Sequence, residues 1–263
     1  MKHANEKRFE DFFEERKYVV LKNYLYNYLL RRRAVGRAVD EHGPGLVLEI
    51  GSGLSPMITG RDDVVYSELS FRALKTLKAG GGRGHHVVAD GTRLPFRDGA
   101  FRQAVCSEVL EHVEDHETAL AELARVLAPG GHACITVPHR QFYFAADDRF
   151  VGHFRRYERA QVEAMLDSAG LRLGNVSKVL GPLEKVTMFS TVMMFSLIQR
   201  IGGGGDGRTG GALAVAIAPL FKCFNRGYAI LARMDAALMP VSLATVLLFS
   251  SIKGDGAKRM NAP

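Results

Sequence analysis

Leu46-Val47-Leu48-Glu49-Ile50-Gly51-Ser52-Gly53 decides how this chain is read. A short apolar run, Leu46 to Ile50, stops at two glycines spaced by one serine. Glycine directly after a strand lets the backbone turn tightly and lets a ligand approach where a Cβ would stand. The same grammar repeats downstream. Val64 to Tyr66 reads as a second strand closed by Ser67-Glu68, and Phe71 to Lys78 as a helix stopped by the Gly80 to Gly84 run. His86 to Ala89 is a third strand ending at Asp90, and Ala104 to Ser107 a fourth. Thr118 to Leu127 is an amphipathic helix capped by Pro129-Gly130-Gly131, and Ala133 to Val137 a fifth strand. Glu158 to Ala169 is a helix stopped by Gly170, followed by a sixth strand over Leu171 to Val179. Strands alternating with helices at this spacing predict a parallel sheet covered on both faces.

Upstream, Glu6 to Val39 carries Phe9, Phe12, Phe13, Tyr18, Leu21, Leu25, Tyr28 and Leu29 at helical spacing, which predicts two amphipathic helices. Gly43-Pro44-Gly45 then breaks the pattern and opens the main domain. Past Pro182 the character changes. Val186 to Gln199 holds no charge and includes Met188, Met193 and Met194, Gly202 to Gly211 reads as a linker, and Ala212 to Leu238 is again apolar and helical. Ala244 to Ile252 is β-like and is expected to return to the sheet as its seventh strand. The expected division is a helical region over 1–43, a core over 44–181, an apolar helical insertion over 182–243, the returning strand over 244–253 and a tail over 254–263.

Of 263 residues, 47% are hydrophobic and 24% charged, enough for one large domain with an accessory region. The net charge of +7 is concentrated at Arg31-Arg32-Arg33 and at Lys253, Lys258 and Arg259. A basic balance is compatible with nucleic acid, anionic lipid or acidic substrates, and equally with two solvated charged ends. Cys106, Cys134 and Cys223 show no CxxC pair and no Cys/His spacing of the kind metal sites use, so neither a metal nor a disulfide framework is expected. Met1 to Arg16 is charged and lacks an apolar signal core. The expected compartment is the cytoplasm.

In an open parallel sheet, ligands bind beyond the carboxyl ends of strands where the strand order reverses. Gly51 and Gly53 end the first strand, Glu68 the second and Asp90 the third. A carboxylate at the second strand's end can accept hydrogen bonds from both hydroxyls of a ribose. An acid after the third can accept from an exocyclic adenine amine. Glu49 is placed either to anchor the glycine loop or to meet a ligand ammonium group. In this order the residues favour an adenosine-type ligand. A nicotinamide dinucleotide would want G-x-G-x-x-G opening a helix beneath a pyrophosphate. Gly51-Ser52-Gly53-Leu54-Ser55-Pro56 lacks the last glycine.

Val47 to Gly53 resembles the glycine-rich first motif of class I S-adenosylmethionine-dependent methyltransferases, in particular the bacterial type 11-like group. Asp90-Gly91-Thr92-Arg93-Leu94-Pro95-Phe96 with Phe101 to Val105 resembles their third-strand acidic motif and the approach to strand four. Val109-Leu110-Glu111-His112-Val113, Arg125 to Gly131 and Gly152-His153-Phe154-Arg155-Arg156-Tyr157 extend the likeness over about residues 44 to 180. The resemblance implies a Rossmann-like, seven-stranded, doubly wound α/β sheet with N-terminal helices and a helical insertion before the last strand. It implies S-adenosylmethionine as cofactor, held by Glu49, Gly51, Ser52, Gly53, Glu68, Asp90, Gly91 and Ser107. The departures are Leu54-Ser55-Pro56 in place of a third glycine, a short run to the second strand that truncates the usual helix, and Glu68 where Asp is commoner.

For the methyl acceptor the residues near the pocket are Glu108, His112, His139 and Tyr157, with His139 and His112 the candidate general bases. Base methylation of nucleic acid commonly uses Asn/Asp-Pro-Pro-Tyr/Phe after strand four, where this chain has Cys106-Ser107-Glu108-Val109. Nucleic acid is therefore not the expected substrate, and an RNA methyltransferase is the weaker alternative. A small-molecule, glycan or lipid-linked acceptor, methylated at oxygen or nitrogen, is expected. The apolar stretches of 183–240, interrupted by Arg200, Lys222, Arg226 and Arg233, leave three readings open: a lid, a homodimer interface, or peripheral contact with the inner face of a membrane. A non-catalytic S-adenosylmethionine-binding protein remains the alternative from another class.

Overall fold

The computed structural model describes residues 23–188 and 209–254. Strand β1 (Val47–Ile50) is buried along its whole length, as a strand covered on both faces must be. It lies inside a seven-stranded sheet with β2 (Val64–Glu68), β3 (His85–Val88), β4 (Phe101–Ser107), β5 (Leu127–Pro138), β6 (Leu171–Leu180) and β7 (Val246–Lys253). The order across the sheet is β3-β2-β1-β4-β5-β7-β6. The first five strands pair in parallel, and β7 runs antiparallel between β5 and β6. The chain steps outward from β1 to β3 and then resumes on the other side at β4, so the order reverses between β1 and β4.

Successive residues of the central strands feed two separate cores, which is the period-two signature of a doubly wound sheet. Leu48, Ile50, Ala104, Cys106, Ile135 and Phe249 pack with Leu120 and Leu123 of α3 (His116–Val126) and Val162 and Leu166 of α5 (Arg159–Ser168). On the opposite face Val47, Val64, Tyr66, Val105, Cys134 and Leu248 pack with Tyr26, Tyr28, Val35 and Val39 of α1 (Tyr26–Asp40). Cys106 and Cys134 are thus buried as small apolar groups, while Cys223 is exposed. Helices α2 (Phe71–Ala79) and α3 start where a side chain supplies the missing acceptor: Ser70 Oγ accepts from Ala73 N, and Asp115 from Thr118 N.

Of the two N-terminal helices expected, α1 is the second, and the first lies outside the described residues. The Pro129-Gly130-Gly131 stretch does more than stop a helix. Helix α3 ends at Val126 and strand β5 begins at once, with Leu127 opposite Phe101 and His132 opposite Gln103. Residues 128–131 are therefore a bulge in β5, which Gly130 permits with φ +69.

Past β6, residues 182–188 (α6) and Thr209–Leu238 (α7) are helical. Most of the uncharged Val186–Gln199 run and residues 202–208 of the glycine stretch lie outside the described residues. Gly210 and Gly211, read as linker, instead belong to the first turn of α7. That helix is tied in by buried polar contacts: Asn225 Oδ1 accepts from Tyr26 N (3.2 Å) and Asp235 Oδ2 from Leu183 N (3.0 Å). Among the described residues no helix is long and apolar enough to cross a membrane.

No helix forms between β1 and β2. Residues 51–63 cross as a loop held from beneath by Glu49, whose carboxylate oxygens accept from Met57 N (2.6 Å) and Ile58 N (3.0 Å). The Tyr28 hydroxyl donates to Pro56 O (2.7 Å) and the Tyr66 hydroxyl to Ile58 O (2.8 Å). Burial pushes the Glu49 carboxyl up to about 8, against the pull of its two backbone donors.

Because Glu49 holds its proton more tightly in the folded than in the unfolded chain, its contribution to stability is complete below its ordinary value of 4.5 and is lost as pH rises through about 8. Denaturant unfolding at a series of pH values is expected to show that decline in the wild type and a flatter profile in Glu49→Gln. Glu49→Ala should destabilise throughout, by about 1–3 kcal/mol for each backbone donor left without an acceptor.

Candidate functional site

The carboxyl ends of β1, β2 and β4 meet at the glycine loop. Gly51 has φ +67 and Gly53 φ +53, a region costly for side chains other than glycine. A Cβ on Gly51 would stand 2.5 Å from Val109 Cγ2, so the turn after β4 packs directly on the turn after β1. Gly51 N donates to Ser67 O at 2.7 Å, fastening the same turn to the end of β2.

Glu68 closes β2 and is 8% exposed. Its Oε2 accepts from Gly53 N (2.9 Å) and its Oε1 from Ser70 N (3.1 Å), so both oxygens are oriented by the backbone and each keeps a further lone pair. Ser52 is buried, and its Oγ has no hydrogen-bond partner. A bare backbone turn, an oriented carboxylate and an orphaned hydroxyl at one place fit the polar edge of an adenosine-bearing ligand. Glu49, at the end of β1, has each carboxylate oxygen engaged by one backbone N–H of the loop.

Asp90 is exposed beyond β3, where Oδ1 accepts from Thr92 N (2.9 Å) and Thr92 Oγ1 (2.7 Å). Oδ2 takes no hydrogen bond among the described residues. Gly91 follows in the same turn, close to Ile50. Ser107 ends β4 with Oγ 2.8 Å from Thr136 Oγ1 on β5, and Thr136 Oγ1 also donates to Glu108 Oε1 at 3.2 Å. Glu108 holds φ +54, a strained value for a residue with a side chain, and Arg31 Nη1 stands 3.6 Å from its other oxygen. The eight residues expected to hold the cofactor therefore occupy the ends of four neighbouring strands, from β3 to β4.

The two candidate bases sit differently. His139, just past β5, is 3% exposed; its Nδ1 donates to Ala244 O at 2.9 Å and its backbone N–H to Thr245 O. Burial lowers its pKa, so it is a neutral ring tying β5 to the start of β7. His112 ends the single 3-10 turn Leu110–His112 after β4, with its ring 4.7 Å from that of His153 at 75°. Tyr157 is fully buried and its hydroxyl lies 3.0 Å from His116 Nδ1.

Beside that turn lies a buried ionic cluster. Asp148 is 1% exposed and accepts from His153 Nδ1 (2.9 Å), Arg156 Nε (2.8 Å) and Lys185 Nζ (2.7 Å). Burial alone would raise its pKa, but His153, Arg156 and Lys185 together hold its carboxyl well below the usual carboxylate range. Lys185 also reaches both oxygens of Asp147 at 2.7 Å. Glu111 is fully buried next to this cluster. Asp147, Asp148 and Lys185 carry no motif; their only linear hint is charge beside otherwise apolar helices.

Residues 48–135 match the family model for a methyltransferase domain. A demethylmenaquinone methyltransferase from Streptomyces griseus is 36% identical over 110 residues, 40% of this chain and 48% of that protein. A ubiquinone/menaquinone biosynthesis C-methyltransferase from Desulfotalea psychrophila is 32% identical over 136 residues, 43% of this chain and 53% of that protein. The chain thus spans about half the length of these relatives. Among solved structures, a protein described as a possible histamine N-methyltransferase from Thermotoga maritima superposes with a TM-score of 0.59 at 15% identity, covering 95% of this chain and 98% of that one. The [4+2]-cyclase SpnF superposes at 0.54 with 20% identity, covering 86% and 82%. The strand order and the match over 48–135 lead to one assignment: residues 48–135 form a methyltransferase domain.

Proposed function

We propose that this chain is a methyltransferase that moves the methyl group of S-adenosylmethionine to an oxygen or nitrogen of a small acceptor with an apolar body. The observation that carries the reading is the Glu68 carboxylate, oriented by Gly53 N and Ser70 N at the end of β2. The cofactor supplies an electrophilic methyl on a sulfonium. The chain's own residues do the rest: Glu68 accepts from ribose hydroxyls, Asp90 from the adenine amine, and the Gly51-Ser52-Gly53 backbone admits the ligand without a Cβ in its path. Transfer from a sulfonium is a displacement in line, so holding donor and acceptor in register supplies much of the rate. A neutral, buried His139 serves as a strand tie in this reading, which leaves His112 as the candidate base.

The acceptor's apolar character is supported by three aromatic rings beyond the matched segment. Phe142, Phe150 and Phe154 are 61%, 56% and 43% exposed, on the stretch that follows the carboxyl end of β5. Relatives that methylate demethylmenaquinone favour a second reading, methylation of a quinone ring carbon. The fold alone does not choose between methyl transfer and another use of the site, since a cyclase shares it.

Calorimetric titration of S-adenosylmethionine is expected to show saturable binding that Glu68→Ala weakens by about 1–3 kcal/mol, the range for a hydrogen bond to a charged group. Gly51→Ala should abolish it, because its Cβ collides with Val109. Absence of binding to folded wild-type protein would end the methyltransferase reading. Production of S-adenosylhomocysteine should then be compared for hydroxylated apolar acceptors and for a demethylated quinone; turnover of the quinone alone would install the second reading.

The outward side of α7 supports peripheral contact with anionic lipid. Phe224, Ile230, Leu231, Met234 and Leu238 are more than half exposed there, beside exposed Arg226 and Arg233. Co-sedimentation with anionic but not neutral vesicles is expected, weakened by Arg226→Glu with Arg233→Glu. A stable dimer in solution without vesicle binding would assign this face to self-association instead.

A further inference from the structure

We propose that Glu111, His112 and His153 form a binding site for a divalent cation of the first transition row, placed to hold the acceptor's oxygen beside the methyl donor. Its existence rests on geometry alone; its role rests on the methyltransferase reading.

Glu111 is 0% exposed, and neither of its carboxylate oxygens has a hydrogen-bond partner. A buried ionised group without donors is among the costliest arrangements a fold can hold. A bound cation would supply the partner that these two oxygens lack. The polar groups around it are arranged as if to receive that charge. His153 Nε2 stands 3.8 Å from Glu111 Oε1, too far for a hydrogen bond. On the ring's other side Nδ1 lies 2.9 Å from Asp148 Oδ1. Asp148 also accepts from Arg156 Nε and Lys185 Nζ, so a proton on Nδ1 faces a carboxylate and Nε2 is left on the side of Glu111. A carboxylate behind a histidine, fixing its tautomer and raising its basicity, is the usual second layer of a metal centre.

One ligand atom each from Glu111, His112 and His153 can be chosen so that all three lie within 4.8 Å of one another. Bonds of about 2.0–2.2 Å from nitrogen and oxygen to such a cation place neighbouring ligands about 3–3.5 Å apart, so side-chain adjustment of about 1–1.5 Å closes the set. Two imidazoles with one carboxylate favour manganese, iron, cobalt or zinc over magnesium and leave coordination positions open. The site follows the end of β4 directly, next to Ser107 and Glu108. An acceptor hydroxyl taking an open position is acidified by the cation. It gives its proton to water, its oxygen forms the new bond to the methyl carbon, and the electron pair of the broken carbon–sulfur bond returns to sulfur. Oxygen is then the acceptor atom. The linear sequence hides the set because Glu111 and His112 adjoin while His153 comes from the far side of β5.

The test is titration of cobalt(II) into chelator-treated wild-type, Glu111→Gln and His153→Ala proteins, read by ligand-field absorption, with S-adenosylmethionine affinity and circular dichroism on the same samples. Expected are saturable bands at one cobalt per chain in the wild type. Loss of affinity should be at least tenfold in either variant, with fold and cofactor affinity retained. Asp148→Asn, acting through His153, should weaken cobalt by roughly 10–100-fold. A protonated, purely structural Glu111 is mimicked by Gln, so bands unchanged in folded Glu111→Gln would overturn the site. Absence of bands in folded wild type that binds S-adenosylmethionine would overturn it too, leaving the methyltransferase reading intact. Cobalt binding without cofactor binding would uphold the site and remove its catalytic role.

Discussion

One buried carboxylate sets the floor of the cofactor site. Two parallel strands that are neighbours in sequence need a crossover, and a helix normally provides it by satisfying its own backbone. Here residues 51–63 cross without a helix, so their N–H groups must find acceptors elsewhere. Glu49 takes two of them, and the hydroxyls of Tyr28 and Tyr66 take two of the carbonyls. With the crossover pinned from below, the glycine turn above it has little freedom, and Gly53 N can orient Glu68. The acid at the end of β1 thereby shapes the glycine turn from beneath.

The second buried charge centre obeys different physics. Around Asp148 each carboxylate oxygen meets a cation, and Oδ1 lies 2.9 Å from His153 Nδ1 as well, so desolvation is offset by pairing. Glu111, a neighbour in space, has no hydrogen-bond partner for either carboxylate oxygen and meets cations only at longer range, with His153 Nε2 3.8 Å away. The fold thus pairs one acid closely and leaves the next, just past the end of β4, without a close partner. Positive φ at Glu108 adds strain at the same turn. Strain and unpaired polarity gathered at one point are what functional sites accumulate at the expense of stability.

Much of the sheet was legible because its strands are apolar runs ended by glycine or an acid. Ile50-Gly51, Ser67-Glu68 and Ala89-Asp90 mark ends that the structure places within a residue or two. A shortened helix after β1 was legible from the short run to the second strand, but its complete absence was not. Gly210 and Gly211 misled, because two glycines read as a linker and yet begin α7. Tertiary anchoring through Asn225 and Asp235 outweighs their poor helix propensity. Pro129-Gly130-Gly131 misled in the same way, since the bulge it forms depends on the register against β4.

The candidate cofactor residues share a local rule, since they sit at the ends of neighbouring strands, so they could be proposed one strand at a time. The acceptor side has no such rule. Glu111, Asp148, His153 and Lys185 come from a 3-10 turn, two helical segments and the loop between them, and they meet only because β5 and the helices beyond it fold back over the end of β4. The matched segment ends at residue 135, before three of these four. The segment that bears the candidate donor residues is therefore the one held in common with a family, whereas residues 139–188 lie beyond the match and carry no such shared pattern, so any role for them has to be argued from their own chemistry.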